Sequence, residues 1–240
     1  LGDIDAGFEE ADVIVERSFD SKPMHQGYIE PQGCIADYSE DGQIEVWCCT
    51  QAPFVYRDRL SAILDIDCNK IYVQQSELGG GFGGKTGFYG EPLAIMLSKK
   101  ASRAVKIVLS RIEVFRGTGP VSGTSYSIKM GCKKDGTITA ASAEMIFQAG
   151  PYAGSMYFNA PNAMFTRYDL KNVDITAYEV LSNRQKVASF RAPCVPQIVF
   201  GVEGVVDEMA RKIEMDPIDF RLKNACEDGH TTIYGDTWGP

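Results

Sequence analysis

An α+β fold, with mixed sheets and interleaved helices, is predicted by three observations on the 240-residue chain. Short alternating or β-branched runs outnumber helical ones, and helices fall between them at irregular spacing rather than in a βαβ rhythm. One long amphipathic stripe near the C-terminus, Ile198, Val202, Val205, Met209 and Ile213, marks a packed helix over residues 196–213.

Along the chain, residues 12–19 (DVIVERSF), 33–38 (GCIADY) and 43–50 (QIEVWCCT) read as strands. Residues 53–64 have helical spacing in Val55, Leu60, Ile63 and Leu64. Residues 70–75 (KIYVQQ) form a strand that runs into a glycine-rich loop, and 91–101 form a helix with Pro92 in its first turn. Strands are expected at 104–110, 125–134 and 137–148, the last two joined by Asp135-Gly136, a hairpin dipeptide. The segment 149–162 (AGPYAGSMYFNAPN) reads as an aromatic-rich loop. A strand follows at 173–180, and Asp216-Pro217 opens a short last helix.

Hydrophobic residues make up 44% and charged residues 23%, an ordinary globular balance. A net charge of −8 argues against nucleic acid or an acidic membrane surface as partner. No apolar run reaches the roughly 20 residues of a membrane span, and no secretory signal stands out. Seven scattered cysteines without C-x-x-C spacing, beside only two histidines, suit a reducing cytoplasm rather than a metal cluster held by this chain. A redox role for the adjacent Cys48 and Cys49 is the less economical reading, since strand alternation accounts for them. The first residue is leucine and the last dozen look cut from something larger, so a trimmed or processed chain is expected.

The loop at residues 79–86, GGGFGGKT, satisfies both the phosphate-cradling pattern of nucleotide hydrolases and the glycine spacing of dinucleotide folds. Both need a helix starting at Gly84-Lys85-Thr86, whose first amides face the phosphates. Gly87, Gly90 and Pro92 rule that helix out, and Glu77 brings a carboxylate close by. Glycine at this density is expected instead where backbone approaches a ligand without a Cβ in the way.

GGGFGGK followed by EPLA, and SFRAP followed by PQ and a long helix ending MDPIDFRLKN, resemble the molybdenum hydroxylases, the xanthine dehydrogenase and aldehyde oxidoreductase family. The likeness runs from GDIDAGFEEADVIVE to DFRLKN and implies that residues 1–240 are the first of two molybdopterin-binding domains, without the hammerhead-like domain before it or the second cofactor domain after it. By resemblance, Gly80, Gly81, Phe82 and Gly83 lie against the metal end of a molybdenum–molybdopterin cofactor, Gln51 donates its amide to an oxo ligand, and Arg191 sits beside the anionic ligands. No direct metal ligand is implied here. The resemblance further implies hydroxylation of an electron-poor carbon with water-derived oxygen, and electrons leaving through iron–sulfur clusters to flavin or another acceptor on partner domains or subunits. The family's general-base glutamate belongs to the second cofactor domain, so no catalytic residue is assigned in this chain, and Glu30, Glu77 and Glu91 do not inherit the role. Alone, the chain is expected to be inactive.

Departures from the pattern narrow the substrate. Thr86 stands where purine-oxidising members have an acidic residue, Asn159 where they have arginine, and Pro193 where they have a stacking phenylalanine. Ala192 stands where carbon monoxide-oxidising members have cysteine. An aldehyde or aromatic heterocycle remains, with Phe158 among the pocket candidates alongside Thr86, Asn159 and Pro193. The competing readings are a non-catalytic assembly module of the same ancestry and, further off, a P-loop nucleotide-binding protein.

Overall fold

A computed structural model describes residues 1–239. In chain order it runs α1 (Ile4–Glu9), β1 (Val13–Ser21), β2 (Gly33–Tyr38), β3 (Ile44–Cys48), α2 (Pro53–Leu64) and β4 (Ile71–Gln75). Then come α3 (Glu91–Ala101), β5 (Val105–Val108), α4 (Arg111–Gly117), β6 (Thr124–Cys132), β7 (Ile138–Gly150) and α5 (Asn159–Met164). The chain closes with β8 (Val173–Leu181), α6 (Val195–Lys212) and α7 (Pro217–Asn224). Two compact units result, interleaved in sequence: residues 1–23, 122–182 and 192–239 form the first, and 24–121 with 183–191 the second.

The first unit is a four-stranded sheet in the order β1-β6-β7-β8, antiparallel except for the parallel β7–β8 pair. The β6–β7 hairpin turns at Gly136, whose φ of +91° suits glycine. The long β7 is central, buried on both faces at its two ends and alternating between buried and more exposed residues from Ser142 to Gln148. α6 packs on β1 and β6 and buries Ile198, Val202, Val205 and Met209, four of the five stripe residues, with Ile213 half-buried. Asp216 caps α7 by accepting from the amides of Ile218 and Asp219.

The second unit holds a sheet in the order β4-β3-β2-β5 over a smaller core of Ala36, Ile44, Val46, Tyr56, Leu60 and Ile95. β3 and β4 are parallel, joined through α2. Cys34 and Cys48 face each other across β2 and β3 without bonding, and burial pushes the Cys34 thiol up to about 12. Burial raises the Cys48 thiol as well, so neither supplies a thiolate near neutral pH.

Three expectations are corrected, and one element is new. The face α2 buries is Tyr56 and Leu60, while Val55 and Ile63 are exposed; the aromatic ring one residue on reaches the core instead. Residues 109 and 110 are not strand, because Ser110 opens α4 through a reciprocal capping box with Glu113. The segment 149–162 is not all loop: Ala149 and Gly150 finish β7, and Asn159 begins α5. α1, capped by Asp3, has no counterpart among the elements expected from the sequence.

No helix among the described residues is long and apolar enough to cross a membrane. Asp216→Ala should cost about 1 kcal/mol by removing the cap that holds two α7 amides. Its urea midpoint should fall with an unchanged denaturant slope, which equilibrium unfolding measures.

Candidate functional site

The glycine loop belongs to the second unit and folds without a helix. Its tip is a tight turn in which the Gly84 amide donates to the Gly81 carbonyl at 2.8 Å. Phe82 and Gly83 sit at φ +52° and +98°, the positive pair of a mirror-image turn. Phe82, a residue 46% exposed, therefore occupies a left-handed conformation that costs a bulky residue about 1–2 kcal/mol. The loop is coiled at its tip rather than simply extended.

For three of the glycines the protein itself supplies a reason. A Cβ on Gly81 would lie 2.6 Å from the Gln51 Oε1, and one on Gly83 would lie 2.8 Å from the Ser189 carbonyl oxygen. On Gly84 it would meet Gln26 and Tyr28 at 2.9 Å. At these positions the missing side chains make room for the protein's own atoms. The loop is thereby pressed into a cradle built from the 24–32 segment, Gln51 and the 186–191 segment.

Gln51 lies between β3 and α2 but does not cap the helix; Ala52 holds the cap position, without a side-chain bond. Its Oε1 accepts the Gly83 amide at 2.8 Å and the Lys85 amide at 3.3 Å, and its own backbone N–H donates to the Lys85 carbonyl at 2.9 Å. Two donors on the oxygen fix which way the amide faces. Its Nε2 has no partner among the described residues and is left to donate elsewhere. On the other side of the turn, the Arg191 amide donates to the Phe82 carbonyl at 2.9 Å. The Arg191 guanidinium is exposed and makes no ion pair among the described residues. Gln51, Phe82, Gly83 and Arg191, 140 positions apart at the extremes (191 − 51 = 140), thus meet on one turn. Thr86 folds inward, its Oγ1 donating to the Gly83 carbonyl at 2.8 Å.

The remaining pocket candidates belong to the first unit. Phe158 is half-exposed and lines a hollow of about 360 Å3 with Tyr157, Pro161 and Ile175. Asn159 starts α5, and Pro193 lies between Ala192 and Cys194, both with positive φ.

Residues that sequence reasoning passes over support the loop from beneath. Gln26 donates to the Gly119 and Ser189 carbonyls, tying the segment before Arg191 into the unit. Gln32 donates to the Tyr28 hydroxyl at 3.1 Å and the Gly84 carbonyl at 3.4 Å, and Tyr28 donates to Thr118. His25 accepts the Gly27 amide on Nδ1, so its proton sits on Nε2, which donates to Thr118 at 2.7 Å. Burial, helped by the Arg111 charge, lowers the His25 pKa from 6.5. The available signal was the polar density of HQGYIEPQ directly before a strand.

The Gly-Lys-Thr is no phosphate cradle. Lys85 is fully buried and pairs with Glu30 at 2.6 Å, with the Tyr28 ring 4.8 Å from its Nζ. What the turn does gather is an oriented amide donor, an exposed Phe82 and the backbone of Arg191, an exposed cationic residue. That set fits an anionic, oxygen-rich group, with the nearby Glu30 carboxylate neutralised by Lys85.

The fold and this donor set define a cofactor-binding domain, and comparison with known proteins says which. The family model for the molybdopterin cofactor-binding domain matches residues 1–225, and the chain belongs to that family, that of the molybdenum hydroxylases. It is 31% identical over 98% of its length to the nicotinate dehydrogenase large molybdopterin subunit of Eubacterium barkeri, covering 56% of that protein. It is 28% identical over 95% of its length to the xanthine dehydrogenase molybdenum-binding subunit of Escherichia coli O157:H7, covering 31% of it. Among solved structures, the aldehyde oxidoreductase of Desulfovibrio gigas superposes with a TM-score of 0.91 at 26% identity, over 98% of this chain and 26% of that one. The chain thus spans about half, or less, of these relatives.

Gly83→Ala should cost about 2 kcal/mol or more, because the added Cβ meets Ser189 and φ is positive. Chemical denaturation checks this. The lowered His25 pKa means that the unfolded chain takes up the proton first. Stability present above pH 6.5 is therefore lost as pH falls below it. Between pH 8 and 5.5 the wild type should lose more thermal stability than His25→Gln, as paired melting curves would show.

Proposed function

We propose that this chain is the molybdenum-cofactor-binding part of an oxidoreductase that hydroxylates an aldehyde or an aromatic heterocycle with oxygen derived from water. The observation that carries the reading is the locked Gln51 amide, with its oxygen held by Gly83 and Lys85 and its nitrogen free to donate. When bound, a molybdenum–molybdopterin cofactor supplies the two-electron oxidation. The residues of this chain hold and orient it. Gln51 Nε2 would donate a hydrogen bond to the cofactor, Arg191 would offset its negative charge, and the Phe82–Gly83 backbone would line its seat.

Substrate preference is read from both residues and relatives. Thr86 spends its hydroxyl on the Gly83 carbonyl, leaving no acidic group there for a purine, and Ala192 offers no thiol. Phe158, Asn159 and Pro193 are the pocket candidates of the first unit. Relatives named for nicotinate and for aldehyde fit the two substrate classes that remain. The general base, the second cofactor domain, the iron–sulfur clusters and any flavin lie on other domains or subunits, and the 240 residues alone neither hold the cofactor tightly nor turn over substrate. Seven unpaired cysteines suit a reducing cytoplasmic setting.

Metal and pterin analysis of the purified full-length protein should find about one molybdenum per chain. Absence of both would favour a non-catalytic assembly module instead. In the loaded enzyme, Gln51→Ala should slow oxidation by about 10–100-fold, with a melting temperature lowered by the loss of the two amide bonds that its oxygen accepts. A rate equal to wild type would reduce Gln51 to a packing residue.

A further inference from the structure

We propose that Lys85 and Glu30 are a positioning pair that closes the base of the glycine loop and, through it, aims the Gln51 amide. This rests on the cofactor-binding reading above. The Lys85 side chain is wholly buried, yet its only charged partner among the described residues is one carboxylate oxygen, the Glu30 Oε2 at 2.6 Å. That same oxygen accepts the Gly79 amide at 3.0 Å, and the Glu30 amide donates back to the Gly79 carbonyl at 3.2 Å. One carboxylate therefore grips the residue that enters the loop and the ammonium of the residue that leaves it.

The backbone of Lys85 carries the constraint onward. Its amide donates to Gln51 Oε1, and its carbonyl accepts from the Gln51 amide, the Thr50 hydroxyl and the Tyr56 hydroxyl. Gln51 is thus held between Lys85 and Gly83, the base and the tip of the same loop. A buried ammonium left without its carboxylate would draw water or move outward. Either motion shifts the amide that fixes Gln51. The lysine of this motif acts inward, as a strut, and Glu30 is its anchor rather than a proton acceptor for substrate.

Hydrogen exchange on the full-length protein prepared without cofactor tests the pair directly, in Lys85→Met, Glu30→Gln and the double variant. Glu30→Gln keeps an oxygen for the Gly79 amide and serves if Lys85→Met fails to fold. Amides of residues 79–85 should exchange at least tenfold faster in each single variant, while those of β2 keep their protection. The double variant should recover part of the difference, since it leaves no unpaired charge. Loop exchange equal to wild type in both single variants would overturn the proposal. So would equal acceleration in loop and β2, which marks general destabilisation. In the loaded protein, the single variants should release molybdenum faster on dialysis. Selective loop acceleration in a full-length protein that takes up no molybdenum would leave the strut standing and sink the cofactor reading on which it builds; unaltered retention in a loaded protein would overturn the link from the pair to the cofactor.

Discussion

The side-chain oxygen of Gln51 accepts two backbone amides at once, and the geometry of the candidate site depends on that double acceptance. A primary amide has two ends of opposite character, and its rotation about the last side-chain bond is nearly two-fold. With one donor the group could turn. With Gly83 and Lys85 both pointing at the oxygen, the nitrogen has one direction left. The loop spends its Gly83 and Lys85 amides on Gln51, where a phosphate cradle would turn them to a ligand. It uses them to orient a side chain from another part of the unit.

That arrangement explains why the turn tolerates a left-handed phenylalanine. Positive φ at Phe82 and Gly83 carries the Gly83 amide to Gln51, while the Phe82 carbonyl accepts from Arg191. Such strain, of order 1–3 kcal/mol, persists only where surrounding contacts over-determine it. Here those contacts are the close approaches of Gln51 to Gly81 and Ser189 to Gly83. A Cβ at either glycine would break the match.

Much of this was legible in the sequence, and the reasons differ by element. β2, α2 and α3 begin and end where alternation, Pro53 and Pro92 placed them, because strand period and proline at helix starts are local signals. The meeting of Gln51, Phe82 and Arg191 was reachable only through resemblance, since no local rule joins residues 140 positions apart. The α2 face was misread because apolar spacing gives an arc without saying which edge of it is covered, and the Tyr56 ring outreached Val55. α4 was missed although Ser110 and Glu113 spell a capping box, because the apolar run before them drew the strand too far. The roles of Lys85 and Glu30 were hidden by the very pattern that made Lys85 conspicuous. A glycine-flanked lysine invites a ligand, and nothing in the sequence says that its charge turns inward.

The interleaving of the two units bears on the order in which a growing chain can assemble. β1 leaves the ribosome more than a hundred residues before β6, its ladder partner, which pairs from Val13↔Cys132 to Ser21↔Thr124. Through that interval β1 is an unpaired strand with a half-apolar face, open to mispairing or to chaperones. The sheet of the second unit is complete once β5 has emerged, so it can fold while β1 still waits. Its glycine loop still lacks the strap of residues 183–191, which is made only after β8. The turn that gathers Gln51 and Arg191 is thus finished only after the strands of both sheets have been made. A turn completed after both sheets leaves the nascent protein unable to engage a large cofactor there before they are made.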